Sequence, residues 1–180
     1  MTLDAPAGRA WCAAVLWIGT ACAAACPADT APRAADTALV VQGTGPAPWA
    51  LSSADLAALP PTRLTQRQTV SSATGVASER SLAYSGVLVR DVLAKAGFGG
   101  PNDRGARTGI VEAVATDGYR AVYSWGELFN SALGDQVLVI TAQDDRPLDA
   151  AAGPLALRSL ADLRPGPRHV RNLCALVVRR

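Results

Sequence analysis

The sequence has little of what most metal, nucleotide and hydrolase sites are built from. Its 180 residues include one histidine, four cysteines and a single lysine. No cysteine and histidine spacing typical of a zinc site occurs, and no Gly-Lys-Ser/Thr loop that would cradle phosphates. The Gly-x-Ser-x-Gly turn of many serine hydrolases is also missing. These absences leave three common kinds of site without support.

The net charge of the chain is small as well. The formal net charge is +2, and no run of lysine or arginine forms the basic patch that nucleic-acid binding requires. The hydrophobic fraction of 49% is typical of a folded globular protein, and 180 residues are enough for one domain with a real core. The composition therefore predicts a single globular domain without a nucleic-acid partner.

The N-terminal part of the chain is similar to an export signal. Arg9 precedes an apolar stretch, Ala10 to Ala25, that is shorter than the roughly 20 residues of a membrane span and ends in small residues. We predict a signal peptide over residues 1–28, a linker over 29–37 and the domain over 38–180. The product would be periplasmic or otherwise exported, with no transmembrane span. The alternative is a buried N-terminal helix.

Cys26 allows a second interpretation of the leader. The run Ala23-Ala24-Ala25-Cys26 loosely resembles a bacterial lipobox, which would make Cys26 an acylated lipid anchor, although the usual leucine is missing. Cys12, Cys22 and Cys26 all fall in or beside the leader, which leaves Cys174 in the domain. We therefore expect no internal disulfide and expect Cys174 to be a small buried apolar residue.

Many short strands and a few short helices are predicted. The helices follow Ser52 or Ser53, span VLVRDVLAKAGF, and follow Ser124. Asp117-Gly118 indicates a type I′ hairpin turn between two alternating segments. The pattern predicts an α+β fold, a single mixed β-rich domain with short helices. The expected strands cover residues 38–43, 62–72, 79–86, 109–115, 119–124, 135–143 and 173–178.

Three motifs carry a resemblance to a known family. They are YSGVLVRDVL (Tyr84 to Leu93), ATDGYRAVYS (Ala115 to Ser124) and GPLAL (Gly153 to Leu157). In this order they resemble the molybdopterin-binding oxidoreductase domain of the sulfite oxidase type, over about residues 39–178. The resemblance implies a β-rich fold around a buried pterin, the molybdenum cofactor as the possible cofactor, and a periplasmic redox partner.

One residue that this family needs is missing. Its catalytic members hold molybdenum through a cysteine on the strand before the first motif. The corresponding stretch here, QTVSSATGVASERS, offers serine and threonine instead. A hydroxyl is a much harder ligand than a thiolate and would not reproduce that centre. We therefore predict no metal ligand in this chain.

The basic residues that remain are the candidate cofactor-binding set. Many family members read Gly-Pro-Leu-Arg-Leu in the third motif, whereas this chain has Ala156 and carries Arg158 two positions later, on the same face of a strand. The closing loop adds Arg168, His169 and Arg171, which by resemblance would contact the pterin phosphate. Arginine suits phosphate because its planar fork donates two parallel hydrogen bonds. The alternative is an ordinary solvated loop.

Two functional hypotheses follow. In the first, the protein binds molybdopterin and takes part in a periplasmic redox reaction. In the second, the fold is kept without the metal chemistry, and the domain is a non-catalytic binding module for a small anionic ligand or a protein partner. The space between the QTVSS strand and the PRHVR loop distinguishes them, since it is either open and basic or filled by side chains.

Overall fold

The computed structural model describes residues 26–27, 34–71, 77–100, 103–164 and 166–180. Most of the predicted signal peptide and of the predicted linker lie outside these residues, and so does Gly75 in the expected hairpin turn. In the part of the chain that is described, no helix is both long and apolar enough to cross a membrane.

The described residues form eleven strands and three short α-helices. The helices are α1 (Ser53–Ala57), α2 (Val89–Lys95) and α3 (Trp125–Phe129). Short 3₁₀ turns cover Arg104–Ala106 and Ala132–Gln136. The strands, in chain order, are β1 (Thr37–Gln42), β2 (Trp49–Ser52), β3 (Pro61–Ser71), β4 (Ala77–Leu88), β5 (Ile110–Ala115), β6 (Arg120–Ser124), β7 (Val137–Gln143), β8 (Arg146–Pro147), β9 (Ala156–Ser159), β10 (His169–Val170) and β11 (Leu173–Arg179).

The strands make two sheets. The first has the order β2-β1-β11-β5-β6, and the second has the order β10-β9-β7-β4-β3, with β8 paired to β7. Strands β1 and β11 run parallel, so the beginning of the domain lies beside its end. The other pairings are antiparallel. The predicted α+β, β-rich fold is confirmed.

The main core lies between the two sheets. Val41 of the first sheet and Val87, Val139 and Leu157 of the second belong to one buried cluster. Because side chains alternate along a strand, the neighbours of these residues point to the opposite face. The outer face of the second sheet therefore carries its own cluster, which includes Tyr84, Leu138, Ile140 and Ala156.

Cys26 and Cys174 are joined by a disulfide, with their Cα atoms 5.8 Å apart. Both side chains are almost fully buried, beside Val40, Val114 and Ala175 on the outer face of the first sheet. Cys174 is buried as expected, but the prediction of no internal disulfide is wrong. It assigned Cys26 to the leader, whereas the parallel pairing of β1 with β11 brings the start of the domain to Cys174.

The turn at Asp117-Gly118 is placed correctly, but its type is not I′. A type I′ turn needs positive φ at both central residues, and here only Gly118 has it, at +87°. Instead, the Asp117 Oδ1 atom accepts a hydrogen bond from the Tyr119 amide at 2.9 Å, an Asx turn. Two consecutive positive φ values occur at Asp144 (50°) and Asp145 (61°), where β7 turns into β8.

Candidate functional site

Arg158 is the centre of the candidate site. It lies on β9, between Leu157 and Ser159, and shares the outer face of the second sheet with Ala156. Arg158 and Ala156 therefore lie on the same face of β9, as their spacing of two residues predicted. Only 6% of Arg158 is exposed. A buried guanidinium is costly unless its donors find partners.

Neutral groups surround the guanidinium. Nη1 donates to the Tyr84 hydroxyl at 2.7 Å, and the guanidinium carbon lies 5.2 Å from the Tyr84 ring centre. In the amide orientation that satisfies its hydrogen bonds, Gln68 accepts from Nη2 at 2.7 Å. Nε is buried and has no hydrogen-bond partner among the described residues. One donor of the fork is therefore left without an acceptor.

The charge of Arg158 has no counterion in the described part of the chain. No described carboxylate forms an ion pair with it. Burial lowers the pKa of Arg158, and the nearby charge of Arg171 lowers it further, although the hydrogen bond to Tyr84 opposes both effects. Since arginine stays protonated in proteins, the site holds an uncompensated positive charge.

His169 lies directly across from Arg158. The short strand β10 pairs with β9 so that these two residues are opposite each other. Burial lowers the pKa of His169 to about 4, and repulsion from Arg158 and Arg171 acts in the same direction. The imidazole is therefore neutral at neutral pH, with one nitrogen able to donate and the other able to accept a hydrogen bond.

Arg168 takes no part in this cluster. Its guanidinium donates to Asp162 at 2.8 Å and to Glu127 at 2.8 Å, and it lies over the Tyr123 ring at 5.0 Å. These two carboxylates raise the pKa of Arg168. Of the four predicted cofactor-binding residues, the structure places His169 opposite Arg158, and Arg171 is near enough for its charge to lower the pKa of both. Arg168 instead holds the loop to α3. The role of all four in binding a cofactor stays a prediction.

The space between the QTVSS strand and the PRHVR loop is filled at Arg158. Gln68 and Tyr84 occupy it, and Gln66 is held beside them by a hydrogen bond from its amide to the Leu160 carbonyl at 2.9 Å. These three residues were not predicted from the sequence. One feature of the sequence did point to them, namely the two glutamines two positions apart on β3. Amide side chains on an otherwise apolar face of a strand indicate a nearby polar group that needs hydrogen-bond partners.

The donors present do not fit a thiolate-held molybdenum. Both cysteines in the described residues are consumed by the disulfide, on the other sheet from Arg158. Those residues also contain no group of three or more histidine, cysteine, aspartate or glutamate side chains that could hold a metal ion. The cluster of Arg158, His169 and Arg171 matches an anion instead.

The fold is similar to that of a known enzyme. The chain is similar to the solved structure of the sulfane dehydrogenase SoxCD from Paracoccus pantotrophus, with a TM-score of 0.55 and 14% sequence identity. The match covers 78% of this chain and 37% of that chain, so this domain spans well under half of its neighbour's length. No protein-family model matches the chain, and no curated protein matches it. The similarity establishes a distant relationship of fold.

Proposed function

We propose that this domain is an exported, non-catalytic binding module that takes up a small anion through Arg158, His169 and Arg171. The observation that carries the proposal is the buried guanidinium of Arg158, which has neither a carboxylate partner nor an acceptor for Nε among the described residues. A charged acceptor would form stronger hydrogen bonds with this fork than the neutral groups that now surround it.

Gln68 explains how an anion reaches a buried arginine. Its amide oxygen stands 2.7 Å from Nη2, in the place that an oxygen of a phosphate or sulfate group would take. Gln68 lies on the edge strand β3 and is only partly buried, so its side chain can turn away. The exposed Arg171 and the half-buried His169 stand on the adjoining segment. Binding would therefore replace a neutral acceptor with a charged one.

Export is proposed together with the binding function, with cleavage of the leader before Cys26 so that Cys26 remains in the exported product. Disulfides form and persist in oxidising compartments such as the bacterial periplasm, and the Cys26–Cys174 bond supports such a location. A lipid anchor on Cys26 would need the sulfur atom that this bond uses. The disulfide therefore favours the soluble exported product over the lipoprotein.

The test of anion binding compares two arginines. Isothermal titration of the purified domain with inorganic phosphate and with sulfate should give saturable binding. Arg158→Gln should weaken it at least tenfold, a loss of about 1.4 kcal/mol. Arg164→Gln removes the same charge from an exposed position of the neighbouring loop and should change the affinity little. Absence of saturable binding, or equal effects of the two variants, would refute the proposal.

A further variant should change the affinity for phosphate in the opposite direction. Gln68→Ala removes the neutral acceptor in front of Arg158 and should tighten phosphate binding several-fold, because the anion no longer displaces a hydrogen bond. Weaker binding in this variant would show that Gln68 is itself a ligand rather than a substitute for the anion.

Binding of molybdopterin is a second candidate. It is supported by the fold relationship with SoxCD and by the basic cluster, which suits a phosphate group. The protein should be produced in a molybdenum-replete host and purified from the exported fraction. Metal analysis and pterin fluorescence then show what it carries. Stoichiometric pterin without molybdenum would assign the anion as a pterin phosphate. Stoichiometric molybdenum would replace the binding-module proposal with the redox one.

A further inference from the structure

The GPLAL motif forms the wall of a pocket that is separate from Arg158. Gly153 has φ of +77°, and a Cβ there would meet the Asn172 side chain at 2.1 Å, so glycine is required for this turn. The turn places Pro154 and Leu155 against a cavity of about 640 Å³. Cavities of roughly 300–1,000 Å³ are the usual size of small-molecule sites.

This pocket opens into the main core from the side of α1. Leu56 of α1, Val87 of β4 and Leu155 line it, and all three belong to the cluster between the two sheets. Tyr84 and Arg158 belong to the opposite face of the second sheet. The pocket is therefore a second site, and a ligand in it would not touch the anion cluster.

The lining chemistry restricts what the pocket can hold. The described residues that line it include no aromatic ring and no acidic side chain. A planar aromatic ligand would find no ring to stack on, and a cation would find no carboxylate. Arg63 is the one charged residue among the described residues of the lining, and its ion pair with Asp145 already offsets its charge, so an anion would have to compete with that carboxylate.

Aliphatic surface dominates what remains. Leu56, Leu59, Val87, Pro154 and Leu155 supply apolar walls. Hydroxyl groups of Ser53, Thr62, Ser85 and Thr141 also border the cavity, and they can hydrogen-bond one polar end of a ligand. A neighbouring cavity of about 560 Å³ shares Ser53, Pro154 and Leu155 with this one.

We infer that this pocket binds an uncharged, mainly aliphatic molecule with a hydroxyl- or ester-type end. The probes are the straight-chain alcohols 1-hexanol, 1-octanol and 1-decanol, titrated calorimetrically into the full-length domain below the concentrations at which they aggregate. Affinity should rise by up to about fourfold for each buried methylene until the cavity is full. Octanoate should bind at least tenfold more weakly than 1-octanol, because its carboxylate has no free cation to meet.

Two matched substitutions on β3 locate the site. Thr62→Trp fills the cavity and should abolish alcohol binding, whereas Thr65→Trp makes the same change at an exposed position of the strand outside the lining and should preserve it. Far-UV circular dichroism and urea unfolding check that each variant is folded, and Arg158→Gln should leave alcohol binding intact.

Three results would overturn the inference. They are the absence of saturable binding that strengthens with chain length, equal alcohol binding by Thr62→Trp and the wild type, and octanoate binding as tight as octanol binding. None of them bears on the anion cluster, so the two proposals fail or stand separately.

Discussion

Arg158 and Arg168 show how environment assigns opposite roles to the same side chain. Arg168 donates to two carboxylates and lies over an aromatic ring, so its charge is neutralised within the fold. Arg158 is more deeply buried, yet it meets a phenol and an amide, and its Nε has no partner in the described part of the chain. Arg168 therefore stabilises the loop, whereas Arg158 is a candidate binding group. The sequence places both in basic segments and does not distinguish them.

His169 should make the stability of the domain depend on pH. Its pKa is near 6.5 when solvated and about 4 in the folded domain. Between these values the unfolded chain binds a proton that the folded chain does not, so the unfolding free energy should fall as the pH drops from about 6.5 to 4. Because the ring is only half-buried and solvent screens it, we expect a loss of roughly 1–2 kcal/mol.

The measurement is direct because the chain has a single histidine. An NMR titration of the imidazole protons should give a midpoint well below 6, and saturating phosphate should raise it, since an anion offsets the two arginines. His169→Gln should flatten the fall in the urea-unfolding free energy between pH 6.5 and 4.5. A midpoint at or above 6.5 would contradict the burial and repulsion that we assign to this ring.

At the scale of elements, two capping boxes begin short helices that would be marginal on their own. Ser52 and Asp55 bond reciprocally at the start of α1, and Ser124 and Glu127 do so at the start of α3. Burial would raise the pKa of Glu127, but hydrogen bonds from Ser124 and Arg168 outweigh it and hold the pKa below its usual value. Glu127 thus helps to cap the N-terminus of α3 and also anchors the basic loop.

The second role of Glu127 predicts unequal costs for equivalent substitutions. Glu127→Ala should lower the unfolding free energy by roughly 2 kcal/mol, because it removes a cap and an ion pair together. Glu127→Gln keeps a capping acceptor and should cost about half as much. Asp55→Ala removes a cap without a described arginine partner and should cost less than Glu127→Ala. Urea denaturation measures all three, and an Asp55→Ala cost equal to that of Glu127→Ala would contradict the dual role.

Element boundaries were largely predictable from local patterns. The helix after Ser124, the hairpin around Gly118 and the terminal strand follow from capping residues, glycine and alternation. The predicted type of the Asp117-Gly118 turn was wrong because the Asp117 side chain accepts a hydrogen bond from the Tyr119 amide and supports a different backbone geometry. Local competition between side chain and backbone decides such details.

At the scale of the whole molecule, the disulfide joins the two ends of the domain. Cys26 and Cys174 are 148 residues apart in sequence, and the bond fixes the chain before β1 to β11. A cross-link that closes so long a loop restricts the unfolded chain strongly. The parallel β1–β11 pair is the element that most depends on this closure.

Removal of the disulfide should lower the unfolding free energy by about 2–4 kcal/mol. Cys26→Ser, Cys174→Ser and the double variant should be similarly destabilised, because either single change breaks the same bond. Reductant should bring the wild type to the level of the double variant and leave the double variant unchanged. Urea unfolding with and without dithiothreitol measures these effects, and a wild type insensitive to reductant would contradict the cross-link.

The sequence by itself determined the α+β class, the order of most strands and helices, and the set of basic residues around the PRHVR loop, since these depend on local periodicity, capping and composition. Only the tertiary structure decided which of those residues meet. It joined Cys26 to Cys174, directed Arg168 to Asp162, and left Arg158 buried between Gln68 and Tyr84. Partners separated by tens of residues are chosen by how sheets pair and which face each strand presents, and no local pattern records that choice.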